Sequence, residues 1–299
     1  MTDDLKQGQL AFVPNRRQAL MLMGAGASGL MLPSVIGRSA AFAGGADAQG
    51  QLVLGLSQEP TVFNPFMPHI EVDEGIYYSV FDTLFDFDSD GQFFPVLAAE
   101  VPTVANGGIS ADGLQWKVKL KPGVTWHDGK PFTAEDVKFS LELPMDKTFR
   151  SYRTTGYKLL KDITVVSPTE LSWTMASAFA PMTAVLTSTW IIPKHAFDGV
   201  ADKNTAPFNN APIGTGPFVW KERMAGDHIE LTANPVYHDN GPFVKTLIVK
   251  YIPDLNVMYT QFKSGDIDVV GLQWITPDHY EEAKALPGKI VEVAGSGTF

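Results

Sequence analysis

Past Gln51 the apolar positions fall into short runs whose period switches between two and about 3.6. Residues 52–56 form a continuous apolar run of the buried-strand kind, stopped by the turn chemistry of Ser57-Gln58-Glu59-Pro60. Asn64-Pro65 and Met67-Pro68 keep the following stretch extended. Ile76, Tyr77, Val80, Phe81 and Leu84 then make a helical stripe that predicts a helix over 73–85. Residues 84–88 and 92–96 read as a hairpin about Asp90-Gly91. Residues 114–120 alternate, with Leu114, Trp116, Val118 and Leu120 on one face and Gln115, Lys117 and Lys119 on the other. Thr133-x-x-Asp136 has the form of a capping box and opens a short helix that Pro144 closes. Further strands are expected over 162–166, 170–175, 218–221, 228–233 and 245–252, with a helix over 181–189 and an extended stretch at 190–193. A helix over 255–264, with Val257, Met258, Gln261 and Phe262 near one face, leads to a buried strand at 266–270. A helix over 276–285 and a strand from Lys289 complete the series. Helices and strands mix without strict alternation, so the class is α/β of mixed α+β character.

The first fifty residues follow another pattern. Arg16-Arg17 precedes a glycine-diluted apolar run over 19–36, and Ala41 and Ala43 supply the small side chains of a signal-peptidase site. This is a twin-arginine-like export signal over 1–43, with a linker at 44–51, although Ala19 stands where phenylalanine is usual. Gly24, Gly26 and Gly29 also match G-x-G-x-x-G. That motif needs a full helix behind the third glycine, and Pro33 and Gly37 forbid one. As a membrane anchor the run is barely long enough.

Composition removes several chemistries. With no cysteine, the 299-residue chain has no disulfide framework, thiolate metal site or thiol nucleophile. Thirty-three acidic against 23 basic residues, a formal charge of −10, argues against nucleic-acid binding and for a solvated monomer. Asp86, Asp88, Asp90 and Gly91 begin like a calcium loop, but Leu97 stands where a bidentate glutamate is needed. His127-Asp128 resembles a base with its orienting acid, yet adjacent extended residues point apart. The remaining histidines have no metal-ligand spacing, so no catalytic residue, metal or cofactor is expected.

Three blocks carry a family resemblance. LQWKVKLKPGVTWHDGKPFTAEDV over 114–137 resembles the signature of family 5 extracellular solute-binding proteins, the dipeptide, oligopeptide and nickel-binding group of ABC importers. PIGTGPF over 212–218 with ANPVY over 233–237 is similar to the second block, and FKSGDIDV over 262–269 to the third. Glu59-Pro60 through Asn64-Pro65 resembles the first loop, with Asn64 where aspartate is usual. The resemblance implies a periplasmic-binding-protein type II-like clamshell that captures a small peptide or similar solute and hands it to an ABC permease in the cytoplasmic membrane. The protein would be periplasmic, exported by the twin-arginine machinery, and not an enzyme. Lobe I would comprise 52–81 and 180–290, with 82–179 inserted as a subdomain. Residues 291–299 would begin the crossover to a second lobe that is largely missing, so the chain alone is expected to bind weakly. Ligand-facing loops would map to 67–73 and 271–275, which nominates His69, Glu71, Gln273 and Trp274. The alternative is an exported cofactor-dependent enzyme with a nucleotide-binding N-terminus.

Overall fold

The apolar run after Gln51 becomes an interior strand of a five-stranded sheet in the computed structural model, which describes residues 48–271 and 275–286. Strand β1 (Gln51–Leu56) pairs in parallel with β9 (Thr246–Tyr251) on one side and β10 (Val269–Val270) on the other. Strand β8 (His228–Ala233) lies antiparallel between β9 and the edge strand β7 (Phe218–Met224), giving the order β10-β1-β9-β8-β7. The order puts β1 between partners reached by two separate crossovers. The carboxyl ends of β1 and β10 therefore share one edge, where segment 57–70 leaves β1 and Gly271 leaves β10.

Two smaller sheets precede β7. Strands β2 (Phe85–Phe87) and β3 (Phe93–Pro95) form the expected hairpin. Its turn is closed by Asp88 Oδ1, which accepts from the backbone N–H groups of Asp90 and Gln92 at 2.9 Å each. That carboxylate is a turn fastener. Strands β4 (Gln115–Lys119), β5 (Leu160–Ser167) and β6 (Glu170–Met175) make an antiparallel sheet with β6 central. Trp116 and Trp173 sit directly opposite each other and stack at 5.6 Å.

The helices are α1 (Glu71–Val80), α2 (Ala134–Glu142), α3 (Met182–Thr187), α4 (Leu255–Ser264) and α5 (Pro277–Lys284). The capping box of α2 forms as read: Asp136 Oδ2 accepts from Thr133 N–H at 2.9 Å, while Oδ1 accepts from Lys194 N–H at 2.9 Å. Helix α4 is capped by Asp254 and ended by Gly265 at φ +81°, the left-handed conformation glycine adopts freely.

Three expectations need correction. The helix expected over 73–85 is α1, which starts earlier and stops at Val80. Leu84 is taken by the hairpin, its carbonyl accepting from Val96 and Ala98 N–H at 3.0 and 3.1 Å. Val257 does not share the buried face of α4. It is 47% exposed, because Met258, with Leu255 and Phe262 three back and four on, turns to the sheet instead. The strand expected at 266–270 shrinks to two residues, because Asp266 N–H is drawn back to the Gln261 carbonyl to finish α4. Asp268 nevertheless grips β1, its N–H and Oδ2 bonding Val53 O and N–H at 2.8 Å. The strand expected from Lys289 lies outside the described residues. Among those described, no helix is long and apolar enough to cross a membrane.

Candidate functional site

The segment that leaves the carboxyl end of β1 is held by side chains of α1. Asp73, fully buried, accepts backbone N–H groups from Thr61 (2.7 Å) and Val62 (3.2 Å) through Oδ1 and from Ile70 (2.9 Å) through Oδ2. The Tyr77 hydroxyl donates to the Val62 carbonyl at 2.8 Å. Burial, with the charges of Asp73 and Glu74, pushes the Tyr77 phenol far above its usual pKa and keeps it a donor. Asn64, also buried, accepts Phe66 N–H at 3.1 Å and donates to Asn209 Oδ1 at 2.8 Å. Tyr152 N–H donates to the Phe66 carbonyl at 2.7 Å, which brings a distant turn against this segment.

His69 is thereby fixed. Its side chain is 7% exposed, lies edge-on to Tyr77 at 5.1 Å and packs on Tyr152 at 4.5 Å. Nδ1 meets the Met67 carbonyl at 2.8 Å and Nε2 meets Glu74 Oε1 at 3.4 Å. Both partners are acceptors, so the ring is best satisfied as an imidazolium. Burial works against that charge, but the hydrogen bonds to Glu74 and Met67 and the charges of Glu74 and Asp73 prevail, and the pKa is raised. A raised folded-state value contributes stability that is complete below the unfolded pKa of about 6.5 and fades as pH rises through the folded value. Thermal melts of wild type and His69→Gln should therefore differ most near about pH 5.5 and converge toward about pH 8. A gap that widens with pH would contradict the pairing.

Beside His69 opens a concavity of about 540 Å³, counted to its mouth, lined by Glu74, Tyr78, Tyr152, Arg153, Ser188 and Trp190 among others. Tyr78 and Trp190 meet edge to face at 4.8 Å. The Arg153 guanidinium lies over the Tyr152 ring at 5.6 Å and reaches Ser188 Oγ at 3.4 Å, with no carboxylate partner among the described residues. Flat aromatic faces beside one unpaired guanidinium suit an amphipathic solute that carries a carboxylate. A larger concavity of about 740 Å³ shares Tyr78 and Trp190, but its buried carboxylate, Asp82, already accepts from Thr215, Tyr237 and His238.

Of the nominated residues, His69 lines the concavity. Glu71 opens α1, exposed to solvent, where its charge complements the positive end of the helix; Glu74 is the acid at the cleft. Gln273 and Trp274 lie outside the described residues, as do Arg16, Arg17, Ala41 and Ala43. Tyr152, Arg153 and Trp190 were not nominated, and the cluster FRSYR over 149–153 in an acidic chain was the available signal. His127 and Asp128 do turn apart. Asp128 Oδ2 pairs with His195 Nε2 at 2.8 Å, while Nδ1 of His127 accepts Gly214 N–H at 3.2 Å and Nε2 donates to the Gly216 carbonyl at 2.9 Å. Burial holds His127 below the usual histidine pKa, so the ring is a neutral structural link.

A sequence profile of the bacterial extracellular solute-binding proteins, family 5 (middle region) matches residues 93–299. The chain belongs to this family. The oligopeptide-binding protein AppA of Bacillus subtilis is 34% identical over 230 residues, 76% of this chain and 41% of AppA. The nickel-binding periplasmic protein of Escherichia coli is 28% identical over 218 residues, 71% of this chain and 40% of that protein. The structure of AppA in complex with a nonapeptide superposes with TM-score 0.72 at 31% identity, covering 81% of this chain and 47% of AppA. NikZ from Campylobacter jejuni in complex with Ni(L-His) gives 0.64 at 30%, covering 73% and 42%. The mixed α/β fold of the family 5 proteins is thus present, and the chain spans less than half the length of these relatives.

Proposed function

We propose that this family 5 chain contributes one wall of the solute-binding cleft of an ABC importer, and that the solute is a short peptide or peptide-like molecule with a free carboxylate. The observation that carries this reading is the Arg153 guanidinium, without a carboxylate partner among the described residues, beside Tyr152, Tyr78 and Trp190. The chain leaves β1 and β10 at one carboxyl edge, which supports His69, Glu71, Gln273 and Trp274, the residues that follow these strands in sequence, as further ligand-facing residues, since open sheets bind solutes outside the carboxyl ends of their strands. The five-stranded sheet draws on the flanks and the two small sheets on the middle of the chain, which supports lobe I as 52–81 and 180–290 with 82–179 inserted. Binding and delivery without chemistry, twin-arginine export through Arg16 and Arg17 with cleavage after Ala43, a periplasmic monomer and transfer to a permease complete the proposal.

Because Tyr152 is 50% exposed and the concavity is open, a ligand resting there stays half hydrated, and the expected Kd is about millimolar. A ¹H–¹⁵N NMR titration of the 299-residue chain with trialanine should shift resonances at 66–78, 150–157 and 188–190. Arg153→Ala should weaken trialanine by about tenfold or more, while leaving its C-terminal amide unaffected, because a charge-assisted pair contributes about 1.5–3 kcal/mol. Equal binding of acid and amide by wild type would end the carboxylate assignment. Shifts confined to other surfaces would end the cleft assignment.

A further inference from the structure

We propose a divalent-cation site of zinc type on the β7–β8 hairpin, formed by Glu222, His228 and Glu230 and independent of the cleft. Each side chain offers one ligand atom, and the three atoms lie within 4.8 Å of one another. The register explains the convergence. Glu222 and Glu230 face each other directly across β7 and β8, and His228 stands two residues before Glu230 on the same outward face, away from Ile229 and Leu231. Two carboxylates in direct cross-strand opposition repel unless a cation lies between them. Lys221 Nζ satisfies Glu230 Oε1 at 2.8 Å, but the Glu222 carboxylate has no hydrogen bond or ion pair among the described residues.

A second feature lies outside this trio. Asp227 Oδ2 contacts His228 Nδ1 at 3.1 Å. A carboxylate on one imidazole nitrogen fixes the tautomer and aims the other nitrogen at a metal, as in carboxylate–histidine–zinc arrangements. Two of the three groups are already screened from water, with side-chain exposures of 21% for His228 and 17% for Glu230. Glu222 is exposed and free to swing, so the set can close toward the roughly 3.4 Å ligand spacing of a tetrahedral ion with bonds of about 2.1 Å, water completing the fourth position. One imidazole and two carboxylates suit zinc and neighbouring first-row ions better than calcium or magnesium, which prefer all-oxygen cages. The cations nearby, Lys221 on Glu230 and Lys250 opposite His228, compete with the metal; Lys250 is engaged with Gln261 at 3.3 Å.

Isothermal titration of the full chain with zinc chloride at neutral pH, in a non-coordinating buffer, tests this. One saturable site of micromolar affinity is expected. His228→Gln and Glu222→Gln should each abolish it, and Asp227→Asn should weaken it by about tenfold. Lys221→Gln should tighten it, an effect that an adventitious surface histidine would not give. Circular dichroism melts confirm that each variant is folded. Saturable binding unchanged by His228→Gln and Glu222→Gln, or no saturable binding below millimolar zinc, would overturn the site.

Discussion

Gly214→Ala is expected to cost about 3–5 kcal/mol of folding free energy, among the largest effects available to a single methyl group. A Cβ at this position would lie 1.7 Å from the Val80 carbonyl oxygen and 2.6 Å from its carbon. The obstacle is backbone, so no rotamer change relieves it. Retreat is blocked as well. Val80 is the last residue of α1 and its carbonyl accepts from Gly216 N–H at 2.9 Å, while the Gly214 carbonyl accepts from His127 N–H at 2.9 Å. Moving the 214–216 segment outward breaks both bonds and strands a helix-terminal carbonyl in a buried joint. For a domain of this size the melting midpoint should fall by roughly 6–20 °C. Gly75→Ala is the matched control. It lies mid-helix in the same α1, a Cβ there meets nothing within 4 Å, and the substitution should stabilise by about 0.5–1 kcal/mol. Equal midpoints for the two variants by circular dichroism would refute the argument.

The same joint shows how far the sequence could be read. Alternation placed β4, β6 and β8, and the Thr133–Asp136 box placed the start of α2, because each signal is local and complete within a few residues. The blocks that carried the family resemblance were legible as motifs, but their role was not. Gly214-Thr215-Gly216 reads as turn chemistry, whereas neither glycine has a positive φ and both serve a close backbone approach to Val80. His127 from the first block and Asn234 from the second both meet the Gly216 carbonyl, at 2.9 and 3.0 Å. The motif residues thus build a packing joint, at one remove from the cleft. The cleft was the less legible part. Tyr152 and Arg153 lie in an irregular turn with no periodicity to mark them, and the Tyr152–Phe66 backbone bond brings that distant turn close enough for the Tyr152 ring to pack on His69. The start of α1 was misplaced because Ile70 offers no capping side chain and Asp73, inside the helix, does that work.

Asp73→Ala should therefore damage stability and the cleft together. The carboxylate satisfies three backbone N–H groups, those of Thr61, Val62 and Ile70, and nothing in alanine can replace it. These donors are only partly shielded, so water recovers some of the loss, and about 2–4 kcal/mol is expected. The structural consequence is specific. Without the Asp73 carboxylate, the ties of segment 61–70 to α1 are reduced to Tyr77 on the Val62 carbonyl, the backbone bond from residue 73 N–H to the Ile70 carbonyl, and the contacts of His69 with Glu74 and Tyr77. His69 and the Phe66–Tyr152 contact then lose their fixed geometry, and Arg153 is no longer held against the aromatic wall. Asp73→Asn keeps one acceptor oxygen and should recover part of the stability, since Thr61 and Val62 share a single oxygen while Ile70 uses the other. Amide hydrogen exchange separates this from uniform weakening. Thr61, Val62, Ile70 and Tyr152 should lose protection well before β8 and β9, because local opening exposes only the segments whose fastenings are gone. If protection falls evenly across the five-stranded sheet, or if trialanine binds Asp73→Ala as it binds wild type, the coupling between this carboxylate and the cleft does not exist.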